Sequence, residues 1–176
     1  ILDFKKAKKE VRNKISQNMF YAWYKPFYEY GIIHGDPHLG NYTIQQNRTV
    51  NLFDFGCMRI FKGKFIQGVI DLYYALQNND NEKAVHAYTQ WGFTDITKNK
   101  LAVLNKWAGF IYSPLMEDKV QKIQESDSGI YGAKVAAEVH KELKKLGGVK
   151  PPKEFVFMDR AAVGIGSVFM HLKAEV

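Results

Sequence analysis

The residues best suited to chemistry in this chain lie between His34 and Gly56, where two carboxylates and one amide occur close together. The segment from His34 to Asn41 reads HGDPHLGN, and Asp54-Phe55-Gly56 follows. Asn41 comes five positions after Asp36, and Asp54 comes 13 positions after Asn41. Carboxylate and amide oxygens are the ligands that Mg²⁺ prefers. This spacing predicts a site for phosphoryl transfer with ATP and magnesium.

A β-hairpin between the two parts of this motif would bring them together. Tyr42 to Ile44 has the pattern of a short strand, residues 46–48 form a polar turn, and Thr49 to Phe53 alternates as a second strand. Such a hairpin returns the chain to its origin. We therefore expect Asp54 to emerge beside Asn41.

The residue types suggest a role for each member of the site. Asn41 and Asp54 are the predicted metal ligands and, with Gly56, the predicted nucleotide-binding residues. Asp36 and Asn41 are counted as catalytic, with Asp36 orienting the attacking hydroxyl or water. His34 is also included, more as a brace for the loop than as a proton carrier. The competing structural roles are a helix cap for Asp54, a turn for Asn41 and a loop hydrogen bond for Asp36.

The motif resembles the catalytic loop and the Asp-Phe-Gly triplet of protein kinases. It is most similar to the UbiB/AarF (ABC-one) group of atypical kinases, whose usual loop is His-Ala-Asp-Pro-His-Pro-Gly-Asn. Pro37 and the segment from Pro151 to Glu175 favour this group, whereas Gly35 resembles the loop of aminoglycoside and choline kinases. Leu39 replaces the proline that is usual in the UbiB/AarF group.

This resemblance implies an α+β, mostly helical fold: the C-terminal lobe of a protein-kinase-like enzyme with one catalytic β-hairpin. We expect one domain over residues 1–176, with the catalytic loop and hairpin at 33–56 and a helical remainder at 62–176. A glycine-rich loop, a strand lysine and a helix glutamate are not found before His34. We therefore expect the N-terminal lobe to lie outside this sequence, and the chain alone to be inactive.

The resemblance also implies a function: a Mg²⁺- and ATP-dependent ATPase or phosphotransferase that supports isoprenoid quinone synthesis. A helix is predicted within about ten residues of Gly56, which leaves no room for the long activation segment of ordinary protein kinases. A small molecule, a lipid or water is thus the expected phosphoryl acceptor. Three alternatives stay open: a small-molecule kinase of the aminoglycoside or choline kinase type, a pseudokinase binding module, and a zinc hydrolase that uses His34, Asp36 and His38.

Composition sets broader limits on location and partners. A single cysteine favours a reducing, cytoplasmic or matrix-like compartment. The sequence contains no uncharged apolar run of about 18 residues, so no membrane-spanning segment is expected. The net charge of +7 arises largely from lysine clusters near the N-terminus and around residues 141–150. They predict a solvated helix face or peripheral binding to an anionic membrane. No nucleic-acid partner is expected, because the aromatic residues recur at helical core spacing.

Apolar periodicity predicts six helices. The first contains Val11, Ile15, Met19, Trp23, Phe27 and Tyr30 and ends at Gly31. The others cover about 65–76, 81–91, 97–112, 131–146 and 152–173. Asn81 is the predicted N-cap of the third helix, Gly147 the predicted stop of the fifth, and residues 125–129 are predicted to form a loop.

Overall fold

The structure, a computed structural model, describes residues 2–122 and 128–175. In that part of the chain, helices predominate, and four short strands form two antiparallel pairs. This architecture confirms the predicted α+β, mostly helical class.

The elements follow one another with short connections. The helices are α1 (Lys9–Tyr30), α2 (Gly63–Gln77), α3 (Asn81–Gln90), α4 (Lys98–Tyr112), α5 (Ser128–Lys145) and α6 (Glu154–Leu172). The strands, all between α1 and α2, are β1 (Ile32–His34), β2 (Tyr42–Ile44), β3 (Val50–Leu52) and β4 (Met58–Ile60). Short 3₁₀ helices occur at Leu2–Lys6, Leu39–Asn41, Phe55–Cys57 and Ser113–Leu115.

Helix α1 buries the apolar face that the sequence predicted. Ile15, Met19, Trp23 and Phe27 are at most 1% exposed. Gly31 ends the helix in the left-handed conformation (φ 70°), and its N–H donates to the Phe27 carbonyl oxygen. Tyr30, the last apolar residue of the predicted helix, is its last residue in the structure as well, but its side chain is 71% exposed. Helical periodicity defines a face but does not show how far along the helix that face is covered.

The four strands pair in a nested order. β2 and β3 form the predicted hairpin, with Tyr42 opposite Leu52, although β3 is shorter than expected. β1 pairs with β4, with His34 opposite Met58. This outer pair was not predicted, because each strand has only three residues and its partner lies far along the sequence. The hairpin is thus enclosed by a second antiparallel pair.

The chain forms two compact units. The first contains α1, the four strands and α6, and within it α6 packs against α1 and β1. The second contains α2 to α5, and within it α2 packs on α3 and α4 packs on α5. Lys106 of α4 lies 3.4 Å from Glu138 and 3.5 Å from Glu142 of α5. The single domain over residues 1–176 stays a prediction.

Helix α6 is the segment closest to a membrane span in length and composition among the described residues. It is 19 residues long with a mean hydropathy of 1.3, which by length and composition alone is sufficient to cross a membrane. Its packing is that of a core helix on one side, because Ala161, Ile165, Val168 and Leu172 are buried. Val156 and Val163 on the other side are exposed.

The remaining helices agree with the predicted ones apart from their ends. Thr97 caps α4 by accepting a hydrogen bond from the Lys100 N–H, and Gly147 follows α5 at φ 90°. The predicted cap of α3 was wrong by one residue: Asp80, not Asn81, accepts the Lys83 N–H, at 2.9 Å. Of the loop predicted at 125–129, residues 128 and 129 belong to α5, and 125–127 lie outside the described residues.

Mutation can show which of the two neighbouring residues, Asp80 or Asn81, caps α3. Asp80→Ala removes the acceptor for the Lys83 N–H, so we expect it to lower the free energy of unfolding by about 1 kcal/mol. Asn81→Ala should change it by less than about 0.5 kcal/mol. Urea denaturation monitored by circular dichroism measures both, and a larger loss for Asn81→Ala would contradict the assignment.

Candidate active site

The nested strand pairs bring the two parts of the sequence motif to one place. The segment 35–41 connects β1 to β2, and the segment 53–57 connects β3 to β4. At one end of these segments the Gly35 N–H donates to the Cys57 carbonyl oxygen at 3.0 Å. At the other end the Phe53 N–H donates to the Asn41 carbonyl oxygen at 2.7 Å. Each segment is therefore held at both ends by the other.

His34 links the two segments through its side chain. The ring is 2% exposed, and its Nδ1 accepts a hydrogen bond from the Asp36 N–H at 3.3 Å. Nδ1 must then be unprotonated, so the ring proton lies on Nε2, which is 3.0 Å from the Phe53 carbonyl oxygen and donates to it. Both ring nitrogens are thereby occupied within the protein. This arrangement suits the bracing role expected for His34.

Asp36 and Asn41 are brought into direct contact. The Asn41 side-chain nitrogen donates to Asp36 Oδ2 at 2.8 Å and to the Asp36 backbone oxygen at 3.1 Å. Because the amide nitrogen faces Asp36, the orientation of the Asn41 amide is fixed. Its oxygen, Oδ1, accepts no hydrogen bond from any described residue and is free to bind a ligand.

Asp54 lies immediately after Phe53, whose N–H donates to the Asn41 carbonyl oxygen. Its backbone is left-handed (φ 52°), a conformation that Asp and Asn tolerate better than most residues. Its Oδ1 accepts the Gly56 N–H at 3.3 Å, so Asp54 caps the 3₁₀ helix Phe55–Cys57. The side chain is exposed, and its second oxygen has no partner among the described residues. Asp54 can therefore cap the 3₁₀ helix with one carboxylate oxygen while the other oxygen stays free to bind a ligand.

The floor of the site comes from α1. The indole N–H of Trp23, a residue with no exposed surface, donates to the His34 carbonyl oxygen at 2.9 Å. The Trp23 ring also packs edge-on against buried Tyr42 of β2, at 5.6 Å between centroids. The sequence identified Trp23 as a core residue of a helix but not as a support for the loop. No feature of the sequence marked this contact.

Helix α6 supports the loop from another side. Its Gly164 lies against the Pro37 ring so closely that a β-carbon at position 164 would overlap Pro37 Cγ. A second contact lies near Gly35, where the Arg59 guanidinium stacks over the Phe157 ring at 4.7 Å. The available sign of this close packing in the sequence was the place of Gly164 within an apolar helical segment.

The donor set at the loop suits a hard cation better than zinc. Among the described residues, no three His, Cys, Asp or Glu side chains converge as a metal cluster. The ring nitrogens of His34 are occupied, and His38 Nδ1 accepts the Gly40 N–H at 3.1 Å. The free atoms are oxygens of Asn41 and Asp54, which are ligands typical of Mg²⁺.

The close contact between α6 and the loop predicts that a side chain added at position 164 would overlap Pro37 and destabilise the protein. Gly164→Ala should lower the free energy of unfolding by about 1–3 kcal/mol through overpacking against Pro37. Adding Pro37→Ala should restore much of the loss, because it removes the overlapping ring atoms. Thermal unfolding measures both effects.

A matched control lies in α4. A β-carbon added at Gly109 would meet no atom within 4 Å, so Gly109→Ala should stabilise the chain by up to about 1 kcal/mol. If Gly164→Ala behaves like Gly109→Ala, the close contact with Pro37 does not exist.

Comparison with known proteins identifies the family to which this sequence belongs. The profile of the ABC1 atypical kinase-like domain matches residues 1–88, which include α1 and both parts of the motif. Protein Activity of BC1 Complex Kinase 7, chloroplastic, from Arabidopsis thaliana is 29% identical over 84 residues. The alignment covers 48% of this chain and 12% of that relative, so the chain spans a small part of its length. The predicted resemblance is confirmed at family level: this chain belongs to the ABC1 atypical kinase-like family.

Proposed function

We propose that this chain carries the metal-binding and acceptor-orienting residues of a Mg²⁺- and ATP-dependent ATPase or phosphotransferase. The observation that carries the proposal is the hydrogen bond of 2.8 Å from the Asn41 amide to Asp36. It turns the Asn41 oxygen away from Asp36, while the backbone bond from Phe53 to Asn41 holds Asp54 nearby. One amide oxygen and one carboxylate oxygen are then left free on adjoining segments.

These two oxygens are the proposed magnesium ligands. Asn41 Oδ1 and the unpaired oxygen of Asp54 would each contribute one bond, and the other ligands would be phosphate oxygens and water. Both side chains hold their orientation before any ligand arrives, because Asn41 donates to Asp36 and Asp54 accepts from Gly56. When bound, magnesium ATP supplies the transferable phosphoryl group and a cation that offsets its charge.

Asp36 is the proposed acceptor-orienting residue. Asn41 occupies its Oδ2, whereas no described residue occupies Oδ1. Oδ1 can therefore accept a hydrogen bond from an incoming hydroxyl or water and hold its oxygen for attack. The Asp36 N–H to His34 bond fixes the backbone that carries this carboxylate. His34 thus acts on the loop, and Gly56 on the position of Asp54, without contacting the acceptor.

The acceptor and the wider partners are proposals as well. We place a small molecule, a lipid or water opposite Asp36, and the N-terminal lobe of the same protein over the nucleotide. Support for isoprenoid quinone synthesis follows from the resemblance to UbiB proteins, and a reducing compartment with peripheral membrane contact follows from the single cysteine and the basic clusters. The name of the Arabidopsis relative gives a chloroplast location for that protein.

The main alternative is a pseudokinase of the same family. It shares every contact described above but binds nucleotide without turnover. A small-molecule kinase of the aminoglycoside or choline kinase type has less support. Gly35 favours it, yet the family match is to the ABC1 domain.

Replacing Asp54 tests the proposal directly. Asp54→Asn in the full-length protein removes the ligand charge but retains an oxygen for the Gly56 N–H, and Asn tolerates the left-handed backbone. We expect Mg²⁺-dependent ATP turnover to fall by about 100-fold or more. Phosphate release at saturating Mg²⁺ and ATP measures it.

Asp118→Asn is the control, because Asp118 is an exposed carboxylate outside the motif. It should keep the wild-type rate. Turnover by Asp54→Asn equal to wild type would refute the assignment of Asp54. Wild-type protein that binds a fluorescent ATP analogue but forms neither ADP nor free phosphate, with lipid and small-molecule acceptors supplied, would instead favour the pseudokinase.

A further inference from the structure

The second compact unit contains a cavity of about 400 Å³ that none of the predicted site residues line. Its walls come from the turn after α3, the first turn of α4 and the connection after α5. Volumes of about 300–1,000 Å³ are typical of small-molecule sites. The cavity is therefore large enough for a ligand.

A buried lysine makes this cavity unusual. Lys100 lines it and is 7% exposed, and its ammonium group has no hydrogen bond or ion pair with any described residue. Lys106 in the same helix, although exposed, lies beside Glu138 and Glu142. The side chain is therefore largely buried, while its Nζ atom still reaches solvent at the cavity and is hydrated there. An anion in the cavity would give this ammonium group a partner of opposite charge.

Other charges around the cavity add to the attraction. Lys150 lines it as a second cation, and Asp95 contributes the one carboxylate of the lining. Lys100 also lies in the first turn of the 15-residue helix α4, which begins after its cap Thr97. The N-terminus of a helix carries a partial positive charge that favours anions. The lining is thus cationic on balance, with Lys100 as its least solvated charge.

We propose that this cavity binds an anion of the phosphate monoester class, with Lys100 as its principal contact. A tetrahedral phosphate can accept hydrogen bonds in several directions from groups on separate segments, which suits a lining built from three parts of the chain. The phosphate belongs either to a soluble metabolite or to a lipid headgroup. This site is independent of the function proposed for Asp36, Asn41 and Asp54.

Thermal unfolding in different salts tests the proposal. At equal pH and ionic strength, sodium phosphate should raise the Tm of the full chain above its value in sodium chloride, because phosphate binds only the folded state. Lys100→Met should lose this rise, with a Kd for phosphate at least about 10-fold weaker. In chloride the same variant should be about as stable as wild type, since methionine retains an apolar stem and the Lys100 ammonium group has no hydrogen bond or ion pair with a described residue.

Lys98→Met is the matched control, because Lys98 is an exposed lysine in the same turn that does not line the cavity. It should keep the phosphate response. An equal response in wild type and Lys100→Met would overturn the proposal. So would a response to sodium acetate as large as that to phosphate, which would exclude the phosphate class. Equal loss of Tm in both salts on Lys100→Met would show that Lys100 serves only the fold.

Two further measurements complete the test. The first uses wild-type protein and so does not depend on the folding of a variant, and the second distinguishes a lipid headgroup from a soluble metabolite as the source of the phosphate. Amide resonances of Gly92, Gly147 and Gly148, which line the cavity, should shift saturably when wild-type protein is titrated with phosphate. Unchanged resonances would refute the site. Flotation with phosphatidylcholine vesicles, with and without phosphatidic acid, identifies the source. Lys100-dependent binding to phosphatidic acid assigns a lipid headgroup, and its absence with a retained phosphate response assigns a soluble metabolite.

Discussion

The two hydrogen bonds of the buried His34 ring hold together every part of the candidate active site. The Nδ1 atom accepts a hydrogen bond from the Asp36 N–H, and the Nε2 atom donates one to the carbonyl oxygen of Phe53, the residue just before Asp54. A buried ring with both nitrogens engaged has no remaining rotational freedom, so the two segments cannot move apart without leaving polar groups unsatisfied. The positions of Asp36 and Asp54 therefore depend on a residue that need not contact any ligand.

The supports around this ring come from distant parts of the chain. Trp23 of α1 binds the His34 carbonyl oxygen, and Gly164 of α6 lies against Pro37. Trp23 holds the residue just before the loop 35–41, and Gly164 contacts Pro37 within that loop. The absence of a side chain at Gly164 is the physical requirement here, because the proline ring occupies the space of a β-carbon. The packing of α1 and α6 against the loop thus fixes the position of the Asp36 carboxylate.

The candidate active site and the cavity at Lys100 represent two proposed ways of binding a phosphate. At the first, we propose that acidic and amide oxygens bind a metal that would carry the phosphate charge. At the second, a buried lysine and the start of α4 favour the anion directly. The first arrangement depends on fixed hydrogen bonds between loops. The second depends on a lysine whose ammonium group has no partner among the described residues.

The sequence by itself predicted the candidate site residues, and it determined the family, the helices and the inner hairpin. The spacing of Asp36, Asn41 and Asp54 requires only local chain geometry, and periodicity over many residues marks helices reliably. The cap at Asp80, one residue before the predicted Asn81, was missed because neighbouring Asp and Asn are equally good cap residues by type.

Only the tertiary structure decided which groups meet. The pairing of β1 with β4 joins three-residue strands across a long separation, and too few side chains are involved to leave a pattern. The bonds of His34, the contact of Gly164 with Pro37 and the lack of a partner for Lys100 among the described residues are likewise relations between distant segments. Residue type and spacing can name the atoms able to bind a ligand, but burial and contact decide which atoms are left free to do so.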